Sequence, residues 1–256
     1  MRQTIGNRRD NIKNLGNSRD NTVVPSQKRK IRPTRRSVSG VYAFRRDTGI
    51  PFESTLERDF LIRSEYFSSV AQIIAQPVQI PFVDSRGRQN IYTPDFLVYR
   101  SLGNRSYREY PKPELIEVKP QLEWRAHWRK WSPKWKAART LAKENGWVFR
   151  IQDETRIRDQ VFENIHFLER YKRMSFDQVD SDWVLKTVEE MGSVPFHYLL
   201  ARHYISEANQ GVGISHLWHL LATRKLDCDI SNKLDHSTEL WLHINEQVSG
   251  DNRQRG

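Results

Sequence analysis

Four residues have the types and the spacing to do chemistry together: Glu57, Asp95, Glu117 and Lys119. Asp95 lies in TPDFLV, and Glu117 follows 22 residues later in IEVKP. Side chains alternate faces along a strand. Glu117 and Lys119 therefore share one face, while Ile116 and Val118 turn to the other, toward a core. If the strand carrying Asp95 pairs with this one, two carboxylates and an amine converge. That set suits phosphodiester hydrolysis. Carboxylates are hard oxygen ligands for Mg²⁺, which takes few protein ligands and keeps several waters. Such an ion polarises phosphate and makes water more acidic. A lysine beside it orients or deprotonates the attacking water and offsets developing charge. Glu57, on a helix, supplies a further carboxylate.

Each part also has a plainer explanation. Glu57 completes a capping box with Ser54. Asp95 ends a turn with Pro94, and a carboxylate-x-lysine triplet occurs on many strands by chance. The weight rests on the combination, because a Glu and a Lys in an otherwise apolar strand are costly to bury unless paired or bound to metal.

The elements that must hold these residues follow from periodicity and punctuation. A helix is expected from Ser54 to about Phe67. Apolar material from Val70 to Phe82 includes the strand VQIPF, and Asp84–Gly87 makes a turn. Ile91–Tyr99 alternates as a second strand and Leu115–Val118 is a third. Trp124–Gly146 reads as one helix ended by its glycine, Trp147–Gln152 as a fourth strand, and Arg158–Met174 as another helix. This order is α/β, a mixed sheet covered by helices. The remainder predicts helices over Asp182–Met191, from Pro195 to about Asn209, and from a Ser215 cap to about Lys225. Gly211 and Gly213 form the turn between the last two. Two short strands follow, Leu226–Ile230 and Thr238–His243, so the C-terminal third has a winged-helix pattern.

Charge is distributed unevenly. Residues 1–46 hold thirteen Lys/Arg against two Asp, residues 47–174 hold 22 against 17, and residues 175–256 hold 7 against 12. A cationic tail on a mildly basic domain points to a polyanion, since phosphate neutralisation releases counterions. The tail residues Lys28, Arg29, Lys30, Arg32, Arg35 and Arg36 are the first candidates for that contact. A solubilising tail is the alternative. The stretch 1–40 has too few apolar residues to offset ordering entropy and is expected to be disordered when free. In QLEWRAHWRKWSPKWK, Trp124, Trp128, Trp131 and Trp135 recur at helical spacing among Arg125, Arg129, Lys130 and Lys134. The tryptophans are expected to pack on the sheet and the cations to face phosphate. His216 and His219, one helical turn apart, have the spacing of zinc ligands but no further ligand cluster, so a structural role is expected. The single cysteine, Cys228, excludes a disulfide framework and fits a reducing compartment. The N-terminus lacks the apolar stretch of a secretory signal, and no apolar run is long enough to span a membrane.

The run STLERDF, then TPDFLV, then IEVKP, then ENIHFLERY resembles the TnsA family over roughly residues 40–175, and the C-terminal part resembles it by pattern. The resemblance implies an α/β restriction-endonuclease-like, PD-(D/E)xK nuclease domain over 41–174, followed by a winged-helix-like domain over 175–250 and a short tail over 251–256. It makes Glu57 and Asp95 active-site acids, Asp95 a metal ligand and Lys119 the catalytic lysine. Glu117 aligns with a position where some relatives carry Gln; Glu is closer to the general motif, which adds Glu117 to the metal set, and Glu57 is counted with them as the further carboxylate. Implied with it are Mg²⁺, for which Mn²⁺ substitutes, and double-stranded DNA at transposon ends. A TnsB-like recombinase and a TnsC-like AAA+ ATPase are the implied partners, and the C-terminal domain is expected to contact the ATPase. The implied reaction is cleavage at the 5′ ends of a transposon in the bacterial cytoplasm, leaving 5′-phosphate and 3′-hydroxyl ends. A free-standing restriction or repair nuclease of the same fold, and a non-catalytic DNA-binding adaptor, are the alternatives.

Overall fold

The computed structural model describes residues 25–27, 38–103 and 106–243. The basic positions Lys28, Arg29, Lys30, Arg32, Arg35 and Arg36, most of the stretch 1–40, and the tail 251–256 lie outside the described residues.

The chain opens with a hairpin, β1 (Gly40–Phe44) and β2 (Thr48–Phe52), then enters helix α1 (Thr55–Tyr66). Strands β3 (Val70–Ala75), β4 (Ile80–Val83), β5 (Gln89–Tyr92), β6 (Phe96–Arg100) and β7 (Glu114–Val118) follow. Helices α2 (Gln121–Ala126) and α3 (Trp128–Glu144) lead to β8 (Val148–Gln152). The central sheet has the order β3-β6-β7-β8, antiparallel except for the parallel pair β7–β8. Both of its faces are covered. Phe96, Val98, Ile116 and Val118 pack with Leu56, Phe60 and Leu61 of α1, whereas Leu97 and Leu115 pack with Trp135, Ala138 and Ala142 of α3. The strand face shared by Leu115 and Glu117 is therefore as buried as the opposite one.

Three expected elements break, among them the helix expected from Pro195 to about Asn209, which ends at His203 before a second helix starts at Glu207. The apolar stretch 70–82 holds a further strand before the expected one, and the two are separated at Gln76, which has a positive φ of 48°. The strand expected over Ile91–Tyr99 divides at Thr93–Asp95, where Pro94 has no N–H to give a ladder. Its first half pairs with β4 and its second half with β3 and β7. The helix expected over Trp124–Gly146 breaks at His127. Pro133 lies inside α3, and the Ser132 hydroxyl donates to the Arg129 carbonyl (3.3 Å) that Pro133 cannot serve.

Beyond the sheet lie α4 (Glu154–Ile157), α5 (Gln160–Leu168), α6 (Gln178–Met191), β9 (Ser193–Pro195), α7 (Phe196–His203), α8 (Glu207–Ala222), β10 (Leu226–Asp227) and β11 (Glu239–Leu242). The last three strands form a small antiparallel sheet in the order β10-β11-β9. Ile165 and Leu168 of α5 join Tyr66 and the apolar faces of α6, α7 and α8 in one core. Gly211 and Gly213 do not form the expected turn; both lie within α8, and Ser215 is an interior residue whose hydroxyl donates to the Gly211 carbonyl (3.1 Å). A Cβ at Gly213 would come within 2.3 Å of the Tyr204 ring, so close packing rather than turning explains that glycine. No helix among the described residues is long and apolar enough to cross a membrane.

The expected structural role of the histidines is met. His216 is buried, with Nε2 2.8 Å from the Ser181 hydroxyl and Nδ1 2.5 Å from the Tyr204 hydroxyl, and its ring stacks on Phe176. His219 Nδ1 lies 2.8 Å from the Tyr171 carbonyl. Burial, and secondarily His219, pulls the His216 pKa from 6.5 down to about 4. As pH falls from about 6.5 toward 4, the unfolded chain takes up a proton that the fold refuses, so stability drops across that window. Denaturant titrations at pH steps through this window should show the loss, and His216→Gln should flatten the slope.

Candidate active site

A cleft of about 630 Å³ opens at the end of the central sheet, between the start of α1 and the segment leaving β7. Glu57, Asp95 and Lys119 all line it. Glu117 does not.

Asp95 sits one residue before β6, and its backbone is held on both sides: its N–H donates to the Ile116 carbonyl (3.0 Å), and its carbonyl accepts from Gln76 (2.7 Å). Its side chain continues the ladder, with Oδ2 accepting the Val118 N–H at 2.7 Å. Oδ1 accepts no hydrogen bond from the described residues, so it is the atom left for a ligand. Burial, followed by the charges of Glu117 and Glu57, drives the Asp95 pKa well above the usual carboxylate range; Lys119 and the Val118 N–H only partly offset this.

Glu57 forms the expected cap. Ser54 Oγ accepts the Glu57 N–H (3.1 Å) and donates to Glu57 Oε1 (3.0 Å), while Oε2 accepts the Glu53 N–H (2.8 Å). The carboxylate is buried, and burial raises its pKa despite these bonds and Lys119. Capping and cleft position coincide in this residue. The start of α1 is anchored by Asp59, buried and paired with Arg158 at 2.8 Å.

Lys119 follows β7, with its N–H donating to the Gln152 carbonyl (3.0 Å). Its ammonium makes no ion pair among the described residues. Burial lowers its pKa, but Asp95, Glu117, Glu123 and Glu57 together raise it above the ordinary lysine value, so it keeps its proton at neutral pH.

Glu117 is only 2% exposed, and both its oxygens are engaged away from the cleft. Oε2 accepts the Tyr92 hydroxyl (2.6 Å), and Oε1 is 2.9 Å from the Lys134 ammonium. Lys134 in turn lies over the rings of Tyr92, Trp131 and Trp135, 4.5, 5.1 and 5.5 Å from their centroids. Sequence reasoning missed this pairing. It assigned Lys134 to the solvated face, although its spacing from Trp131 and Trp135 already sets it against the apolar stripe. Arg125, Arg129 and Lys130 are exposed as expected. The tryptophans are graded: Trp135 is 1% exposed, Trp124 and Trp131 are half-buried, and Trp128 is 40% exposed.

Residues 67–154 match the family model for the TnsA-like endonuclease N terminal domain, and residues 156–230 match the one for the TnsA endonuclease C terminal domain. The chain belongs to the TnsA endonuclease family. No curated protein matches it. Asp95, Glu117 and Lys119 fall within the TnsA N-terminal match and Glu57 just before it.

The donor set of this TnsA-family cleft fits a hard divalent cation in part. Asp95 Oδ1 accepts no hydrogen bond from the described residues, and Glu53, Glu57, Glu123 and Glu154 line the same cleft with two cationic residues, Lys119 and Arg158. Among the described residues no three His, Cys, Asp or Glu side chains close into a complete cage. Mg²⁺ does not require one, since it usually takes one or two carboxylates and keeps waters.

Two outcomes follow from this electrostatic arrangement. An acid whose folded pKa is raised contributes stability at low pH that is lost as pH rises toward that pKa, so ionised Asp95 costs stability at neutral pH. Asp95→Asn keeps an acceptor for Val118 and should raise the melting temperature in EDTA by a few degrees, about 2–4 °C for each kcal/mol relieved. If Mg²⁺ raises the melting temperature of the wild type, the same substitution should abolish that shift. Lys134→Met strands a buried carboxylate and should cost about 3 kcal/mol in denaturant unfolding. Adding Glu117→Gln should restore most of that loss if the pair is coupled.

Proposed function

We propose that this protein is a Mg²⁺-dependent DNA endonuclease of the PD-(D/E)xK type that cuts the 5′ ends of a transposon. The observation that carries this reading is the joint presence of Asp95, with a free oxygen, and the charged Lys119 in one carboxylate-rich cleft next to Glu57. Five carboxylates repel a phosphodiester, so a bound cation fits the substrate as well as the ligands.

In this reading Asp95 would be the principal metal ligand, with Glu117 and Glu57 as the further acids of the set; Glu117 is held here by Tyr92 and Lys134. Mg²⁺ bound there supplies Lewis-acid polarisation of the scissile phosphate and makes nearby water more acidic. Glu57 holds the start of α1 in register and adds negative charge at the centre. Lys119 would orient or deprotonate the attacking water and offset charge growing on the phosphate oxygens. Cleavage leaves 5′-phosphate and 3′-hydroxyl ends.

The family supports the wider setting: a TnsB-like recombinase at the 3′ ends, a TnsC-like AAA+ ATPase, duplex transposon ends as substrate, and the bacterial cytoplasm as location. The C-terminal succession of helix, strand, two helices and two strands supports a winged-helix-type module, and its net negative charge favours a protein contact, with the ATPase as the partner. The exposed Arg125, Arg129 and Lys130, with the N-terminal basic tail, are assigned to phosphate.

A strand-specific assay on transposon-end DNA with Mg²⁺ tests the reading. Wild type with both partners should cut at the 5′ ends. Asp95→Ala and Lys119→Ala should each lower the rate by at least about 100-fold, the scale expected when a group that stabilises transition-state charge is removed. Cutting by the wild type without partners would favour a free-standing nuclease, and 5′ cutting that survives both substitutions would refute this active site.

A further inference from the structure

A second cleft, of about 740 Å³, lies between the tip of the β4–β5 hairpin and the beginning of α3. Its wall is cationic on both sides. Arg86 and Arg88 come from the hairpin, and Arg129, Lys130 and Lys134 from the helix, against the one carboxylate of Asp84. Two of these cations are already committed: Arg88 pairs with Asp84 at 2.9 Å and Lys134 with Glu117 at 2.9 Å. Arg86, Arg129 and Lys130 are exposed and make no ion pair among the described residues. Like charges gathered without counter-charge repel one another, and an anion in the cleft removes that cost.

The hairpin tip fixes the backbone that carries Arg86 and pins the side chain of Arg88. Asp84 Oδ1 accepts the N–H groups of Arg86 (2.8 Å) and Arg88 (3.0 Å), and Oδ2 accepts from Arg88 Nε (3.0 Å) and Asn90 Nδ2 (3.3 Å). The Gly87 N–H closes the turn on the Asp84 carbonyl (3.0 Å), with Gly87 at φ 75°. The bonds from Arg88 lead in drawing the Asp84 pKa down to about 2, so the anchor stays ionised at any working pH.

We propose that this cleft is a clamp for the sugar-phosphate backbone of duplex DNA, separate from the catalytic cleft, with Arg86 of the hairpin and Arg129 and Lys130 of α3 as its phosphate-binding residues. The hairpin half of the clamp has no counterpart in the sequence-based assignment of phosphate contacts. Phe82 and Trp131 are the apolar residues on the wall, and the rest is polar or charged. Protein–DNA interfaces are polar and positively charged in this way, whereas the centre of a protein–protein patch is depleted of charge. Phosphate contacts of this kind fix register and orientation rather than sequence. Lys134 lines the clamp and holds Glu117, which connects the gripped backbone to β7, the strand that leads into Lys119. The proposal rests on the nuclease reading for its choice of DNA over an acidic protein.

The test is binding without cutting. The full chain is titrated against a labelled duplex in EDTA over a range of salt concentrations, with Arg86→Glu alone and combined with Arg129→Glu and Lys130→Glu. Each phosphate left without its cation should lower the log–log salt slope by about 0.9, so the triple variant should show a slope smaller by about two to three and an affinity at least about tenfold weaker at moderate salt. All three side chains are exposed, and the melting temperature of each variant in EDTA checks that the fold is intact. Unchanged affinity and slope in the triple variant would overturn the clamp. The same would follow if DNA binding were unchanged while retention on immobilised poly-glutamate disappeared, since that assigns the cleft to an acidic protein. A wild type that binds through Arg86 yet never cuts keeps the clamp and removes the nuclease reading, so the two failures are distinct.

Discussion

The bond from the Val118 N–H to Asp95 Oδ2 joins the architecture to the candidate chemistry. The strand β6 begins only at Phe96, so Val118 meets a side chain on that edge. Its neighbour Lys119 turns the other way, to the Gln152 carbonyl of β8. One carboxylate thus extends the ladder by a rung, ties the ends of β6 and β7 together, and fixes where its second oxygen points. The bond holds the Asp95 side chain against the backbone of β7. The cleft is where it is because the sheet ends there.

The rest of the molecule supports that junction. Both sheet faces are closed, by α1 on one side and α3 on the other, which leaves the strand ends as the opening. The capping box sets Glu57 at the rim, and the Asp59–Arg158 pair holds the start of α1 against the chain that follows β8. Behind the sheet, Glu117 is neutralised by Lys134 among aromatic rings. A buried charge of this kind is tolerated only when paired, and the pairing makes α3 part of the candidate site's electrostatics although it contributes no side chain to the cleft lined by Asp95 and Lys119.

Two kinds of local signal are legible in the sequence. The Ser54–Glu57 spacing predicts a cap, and the cap is present with both hydrogen bonds across the pair. Strand alternation sends Ile116 and Val118 into the core behind α1. Elements whose limits depend on non-local partners are less legible. The strand around Pro94 reads as continuous because alternation persists through it, yet its halves belong to different sheets. The glycines of α8 read as a turn because glycine alone signals freedom, whereas Gly213 is small to let Tyr204 approach.

The sequence by itself determined which residues are of a type that could do chemistry, their order along the chain and the faces that neighbours share, since these follow from side-chain type and from periods of 2 and 3.6 residues. The family followed from the same short runs. Only the tertiary structure decided how the four residues divide. It brought Glu57, Asp95 and Lys119 to one cleft, turned Glu117 toward Tyr92 and Lys134, and set the hairpin arginines opposite those of α3. The physical reason is range. Alternation specifies a side chain's face but not what covers that face, and the partner of a buried charge is chosen by contacts between segments far apart in the chain.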